Sequence, residues 1–122
     1  NIQSVRLHLY GGLVEEARKM HQIIALHSLK TEVLKECSSA CTIVFMAGKT
    51  REMGPEARMG FHRYHYVAQS DSHEADLLEQ AYLISLGMPS DFVSKALEAD
   101  TVWYPSLSEL YRANIVTAQV LQ

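Results

Sequence analysis

Cleaving an acyl bond with a serine takes a hydroxyl to attack, a base to take its proton, a group that orients the base, and N–H donors where the oxyanion forms. Ser39 stands directly before the apolar run Ala40 to Ala47. It therefore falls where a strand becomes a buried helix, and the next N–H, that of Ala40, belongs to a first turn with no intrahelical acceptor. Gly11-Gly12 ends an alternating segment, and residues without a Cβ let the N–H groups of Gly12 and Leu13 approach a substrate closely. His62 ends a later apolar stretch and is the candidate base. Each has a plain structural reading too: an N-cap for Ser39, a turn for the glycine pair, a strand-end histidine for His62.

Cys37 and Cys41 flank the serine. A separation of four permits a local disulfide, a pair of buried small residues or a redox-sensitive thiol, and buried thiols are the favoured reading. Cys41 would sit one turn inside the helix, a poor place for a nucleophile. His62-x-x-His65 and the later His73 find no Cys or acidic residue at regular ligand spacing, so neither a metal nor a cofactor is expected and these histidines are read as solvent-exposed. Tyr64, Tyr66, Trp103 and Tyr104 either line a groove beside His62 or pack a core or a subunit interface.

The elements that must position these groups follow from periodicity. Alternation over residues 5–10 predicts a strand; Leu13, Ala17, Met20 and Ile24 then recur at helical spacing, with Glu15 and Glu16 in the first turn where the dipole favours them. Thr31 to Leu34 predicts a second strand, and two strands joined by one amphipathic helix make a right-handed βαβ unit with a parallel sheet. The fold class is α/β. The helix after Ser39 closes at Gly48, residues 49–56 read as a turn around Gly54-Pro55, and residues 57–62 as a strand. Residues 63–72 show no period. Helices follow from Ser72 to Leu86, stopped by Gly87 and Pro89, and from Ser90 to Leu97. Ser106-x-x-Glu109 is a capping-box pattern, and Asn114 ends the last short helix.

Length and composition set the limits. At 122 residues and 48% apolar, the chain predicts one domain with a packed core. Six Gly, three Pro and two Cys exclude collagen-like, low-complexity and disulfide-framework classes. A net charge of -3, with the basic residues scattered, gives no footprint for nucleic acid or an anionic membrane. No apolar run approaches the roughly 20 residues that span a bilayer. The start, without Met and already in a strand pattern, predicts a processed or trimmed boundary.

Two segments carry a family resemblance. Leu9-Tyr10-Gly11-Gly12-Leu13-Val14-Glu15-Glu16-Ala17 resembles the strand, Gly-Gly turn and helix that open the substrate groove in the Clp protease proteolytic-subunit superfamily. Cys37-Ser38-Ser39-Ala40-Cys41-Thr42 through Ala47-Gly48, then Arg51, Pro55 and Gly60-Phe61-His62-Arg63, is similar to the C-x-S-A-C-T, A-G, R, P, G-F-H-R run of predicted periplasmic Clp-protease-like proteins. The likeness is good over residues 5–65 and looser beyond, where Ser106 to Val116 resembles an S-x-x-E-A-x-x-x-G-L-V element.

The resemblance implies a crotonase-like spiral of βαβ units with a largely parallel sheet, flanking helices and an absent upstream first strand. It implies a serine peptidase with Ser39 as nucleophile, His62 as base, and Gly11, Gly12, Leu13 and Ala40 around the oxyanion and substrate. It also implies a peptide or protein substrate, assembly into homo-oligomers and a periplasmic or secreted location, where a Cys37–Cys41 disulfide would fit. The family's Asp lies a few residues before the S-x-x-E element. Here Thr101 or Val102 falls nearest and Asp100 is one or two residues early, so Asp100 is the candidate third member. That displacement motivates the rival expectation of a catalytically inactive oligomerisation or peptide-binding module on the same fold. An acyl-CoA enzyme of the crotonase group ranks last, because no paired glutamates sit near the glycine-rich turns.

Overall fold

The computed structural model describes residues 2–9, 12–63 and 73–119. The alternating start forms β1 (Ser4–Leu9), the amphipathic stretch α1 (Val14–Leu26), and the next strand β2 (Lys30–Ser38). β1 and β2 are parallel, with Ser4 opposite Lys30 and Leu7 opposite Val33. Past Leu7 the register shifts so that Leu9 stands opposite Cys37, a bulge beside the end of β2.

β2 is the centre of the sheet. Its first half pairs in parallel with β3 (Arg51–Met53), its second half with β4 (Arg58–Gly60), and β3 continues to β5 (Ala118–Gln119). The strand order is β1-β2-β3-β5, with β4 also on β2. Three further helices, α3 (His73–Ser85), α4 (Ser90–Glu98) and α5 (Leu107–Arg112), flank it. The fold is α/β with a largely parallel sheet.

The short helix α2 (Ala40–Phe45) is buried at every residue. Ile43, Val44 and Phe45 join Val33, Met53, Met59, Val93, Leu110 and Ile115 in the core, each large apolar side chain contributing about 1.5–3 kcal/mol. Polar groups fix its ends: the buried Thr31 hydroxyl donates to the Phe45 carbonyl at 2.8 Å, and His21 Nδ1 of α1 lies 2.9 Å from the Ile43 carbonyl. At Ser106, Oγ accepts from Glu109 N–H at 3.1 Å while the Glu109 carboxylate accepts from Ser106 N–H at 3.0 Å. This is the capping box of the sequence pattern.

Three elements depart from the periodicity reading. β2 runs to Ser38 instead of ending at Leu34, because Glu32 and Glu36 interrupt the apolar pattern yet are buried beside Arg6 and Arg58. β3 lies inside the segment read as a turn, three residues long with one buried side chain, Met53. β5 is shorter still and is anchored through Arg51. That guanidinium donates to the carbonyls of Ile115 (2.7 Å), Gly48 (3.0 Å) and Asn114 (2.7 Å), tying the end of α5 to the sheet.

Candidate active site

β2 ends with Ser38 opposite Gly60, and the next residue leaves the strand abruptly. Ser39 has φ 58° and ψ -124°, a conformation L-residues adopt at a cost of about 1–3 kcal/mol. Its N–H donates to the Gly60 carbonyl at 2.9 Å, and its own carbonyl accepts from Thr42 N–H at 3.0 Å and Thr42 Oγ1 at 2.7 Å. Ser39 occupies the N-cap position of α2, but its side chain makes no capping hydrogen bond. The plain N-cap reading therefore does not describe what its hydroxyl does. A half-buried serine on a strained strand-to-helix turn is the geometry that presents a nucleophile at a sheet edge.

Gly60 fixes the neighbouring strand. A Cβ there would stand 2.5 Å from Val102 Cγ1 and 2.7 Å from Ser38 Oγ, so only glycine lets β4 close against both. Two residues on, half-buried His62 lies between two backbone clasps. Phe61 and Trp103 exchange N–H to carbonyl bonds of 2.8 and 2.7 Å, and Arg63 N–H donates to the Ala99 carbonyl at 2.9 Å. The His62 ring sits with Nδ1 2.7 Å from the Arg63 carbonyl. A carbonyl only accepts, so Nδ1 carries the hydrogen, and in the neutral imidazole Nε2 holds the lone pair. The Arg63 guanidinium in turn donates to Asp76 of α3 at 2.9 Å.

Ser39 is thus bonded through its backbone to Gly60, and His62 follows two residues later on the same segment. Asp100 is exposed and follows Ala99 in the segment that clasps Arg63 and leads to Trp103. Gly12, Leu13 and Ala40 border one cavity of about 210 Å3, otherwise walled by Leu9, Glu16, Ala17, Met20, Cys41 and Val44. Gly12 has φ 147°, open only to glycine at low cost. Gly11, Tyr64, His65 and Tyr66 lie outside the described residues, as does the side chain of His73. Trp103 packs against Phe61 and Phe92, with ring centroids 6.2 and 5.2 Å away.

The cysteines correct the expectation of free buried thiols: Cys37 and Cys41 form a disulfide, with Cα atoms 5.3 Å apart. The sharp turn at Ser39 folds the first turn of α2 back over the end of β2, which brings a strand residue and a helix residue within bonding range. Sequence spacing alone does not contain that turn.

Glu36 is the residue that motif reasoning missed. Buried on β2, it accepts from the hydroxyl of Ser38, from Arg58 Nε and, at 3.2 Å, from the Tyr104 hydroxyl, while Arg58 stacks 4.2 Å over the Tyr104 ring. Burial pushes its pKa up, but the hydrogen bonds from Ser38, Arg58 and Tyr104 and the charge of Arg58 outweigh that, leaving the carboxyl below its ordinary value. The available signal was a glutamate two residues before a serine in a strand whose neighbours are apolar. Among the described residues no three metal-capable side chains come together, and no helix is long and apolar enough to cross a membrane.

No protein-family model matches the chain, and no curated protein matches it in sequence. Solved structures do match. ClpP1 from Listeria monocytogenes superposes with a TM-score of 0.72 at 18% identity, covering 98% of this chain and 73% of its own. The ClpP protease catalytic domain from Plasmodium falciparum gives 0.71 at 17%, covering 100% of this chain and 70% of its own. A mutant of the 1510-N membrane-bound stomatin-specific protease, solved with a substrate peptide, gives 0.72 at 15%, covering 97% of this chain and 61% of its own. At such identities the likeness is one of architecture, and with the topology above it leads to one conclusion: the chain has the ClpP-like fold.

Proposed function

We propose that this protein is a serine peptidase of the Clp-protease type. The observation that carries the reading is Ser39 itself: a positive-φ serine at the end of β2, its hydroxyl not used for capping, hydrogen-bonded through its backbone to Gly60 two residues before His62. In this reading Ser39 Oγ attacks the scissile carbonyl while His62 Nε2 takes its proton, then returns it to the leaving amine. Nδ1–H on the Arg63 carbonyl holds the ring in the required tautomer. Asp100 is the candidate carboxylate for stabilising the imidazolium, and the N–H groups of Ala40, Gly12 and Leu13 receive the oxyanion.

The substrate is a peptide or protein segment in extended conformation, laid along the strand before the glycine turn by β-augmentation. The apolar cavity beside Ala40 would take an unbranched or aromatic side chain next to the cleaved bond. The Cys37–Cys41 disulfide supports an oxidising compartment, periplasmic or secreted. Exposed Leu77, Leu78 and Ile84 on α3 support assembly into a homo-oligomer.

The rival reading is a module of the same fold that binds peptides or assembles without cleaving; the solvent exposure of Asp100 favours it. A fluorophosphonate probe followed by peptide mass mapping separates the two. Modification at Ser39, lost in Ser39→Ala and in His62→Ala, is the expected result. A folded sample with no modified serine would leave only the module.

A further inference from the structure

Ser39 is held in a backbone state that an L-residue leaves when its restraints are removed. Three hydrogen bonds restrain it, one through its N–H to Gly60 and two on its carbonyl from Thr42. Around them closes a covalent ring, since Cys37, two residues before, is bonded to Cys41, two residues after. One sulfur belongs to the end of β2, opposite Leu9; the other belongs to the first turn of α2. A ring this small removes little entropy from the unfolded chain, so it is a weak general staple. Its grip on the one residue enclosed is direct.

We propose that the Cys37–Cys41 disulfide is a positioning device for Ser39: the oxidised protein carries the competent nucleophile, and two-electron reduction to the dithiol disarms it. This rests on the reading of Ser39 as the nucleophile. Both cysteines are buried, but Cys41 forms part of the wall of the 210 Å3 cavity, which gives a small dithiol its approach. One thiolate of the reductant attacks a cysteine sulfur and the S–S bond breaks. That cysteine is now held in a mixed disulfide and the other is released as a thiolate; the second thiolate of the reductant then closes on the reductant's own sulfur and displaces the held cysteine. The reductant leaves as its own disulfide, and Cys37 and Cys41 take up two protons as thiols. Ser39, then held by hydrogen bonds alone, relaxes toward negative φ, and its hydroxyl and the Ala40 N–H lose their common aim.

Two readouts on the intact protein keep this inference apart from the one it rests on. The first is amide hydrogen exchange before and after reduction by a small dithiol. Exchange at Ser39 and Thr42 is expected to rise about tenfold or more while Val33 and Met59 stay protected; unchanged protection at Ser39 and Thr42 overturns the proposal whether or not the serine reacts. The second is the rate of fluorophosphonate modification of Ser39, expected to fall about tenfold or more on reduction and to recover on re-oxidation. The Cys37→Ala/Cys41→Ala double variant should start at the lowered rate and ignore the reductant. Equal labelling of the oxidised and reduced protein overturns the proposal and leaves the peptidase reading standing. Loss of circular dichroism on reduction also overturns it, making the bond a staple of the whole fold.

Discussion

Ser39 and Asn114 share a backbone angle, φ 58° in each, and almost nothing else. Asn114 follows α5 as a helix terminator. Its N–H donates to the Tyr111 carbonyl at 3.0 Å, the next N–H, that of Ile115, reaches Leu110 at 2.9 Å, and its own carbonyl accepts from Arg51. Asparagine is among the residues that tolerate this state best, and both its backbone N–H and its carbonyl have partners. Ser39 precedes a helix, where the ordinary choice is an extended residue whose side chain caps the first turn. It does neither, and a disulfide, a glycine that admits no side chain and a threonine stand around it. A left-handed residue that agrees with its local chemistry is a turn. One that its surroundings must impose is strain, and strain of that kind is the ground for proposing Ser39 as a reactive residue.

Substitutions at the two positions should separate these meanings. Ser39→Ala is expected to lower peptidase and probe reactivity by on the order of 10^3-fold or more with the fold intact; retained reactivity would return Ser39 to an ordinary turn. His62→Ala should cost roughly 10^2- to 10^4-fold, read as a loss of kcat with little change in KM. Behind the turn, Glu36→Ala should destabilise by about 2 kcal/mol in urea unfolding, since it strips three donors of a buried acceptor. Because the folded pKa of Glu36 is lowered, its contribution is complete above the ordinary carboxylate value and is lost as pH falls through the folded one. The stability gap between wild type and Glu36→Ala should therefore narrow in acid; a gap independent of pH would mean the ionised carboxylate is not what matters. The smallest effects carry opposite signs. Ser39→Gly is expected to stabilise by about 1 kcal/mol by relieving strain, whereas Asn114→Ala should destabilise by about 1 kcal/mol. Two losses would erase the distinction between the turns.

Much of this was legible in the residue pattern where local chemistry and global fold agree. The βαβ start, the helix after Ser39, the capping box at Ser106 and the terminator Asn114 all use residue types suited to their places, whereas the strand read over residues 57–62 is shorter, ending at Gly60 before His62. What escaped the pattern is held by long-range contacts. β3 and β5 are too short to show a period, and Arg51 and Thr117 hold them across the sheet. Buried Glu36 depends on Arg58 and Tyr104, far away in sequence. Cys37 and Cys41 were visible as a pair, but their bond depends on the angle at Ser39, which no propensity of serine suggests. The resemblance singled out Ser39 and His62, and the structure adds the backbone bond from Ser39 to Gly60, two residues before His62.

The chain's single tryptophan has a use of its own. Trp103 is paired through its backbone with Phe61, next to His62, and Lys95 Nζ sits 4.6 Å above its ring. Its fluorescence has no competing indole. A ligand that binds against His62 and disturbs that pairing would change the emission colour and intensity, so binding can be followed in real time without any attached dye.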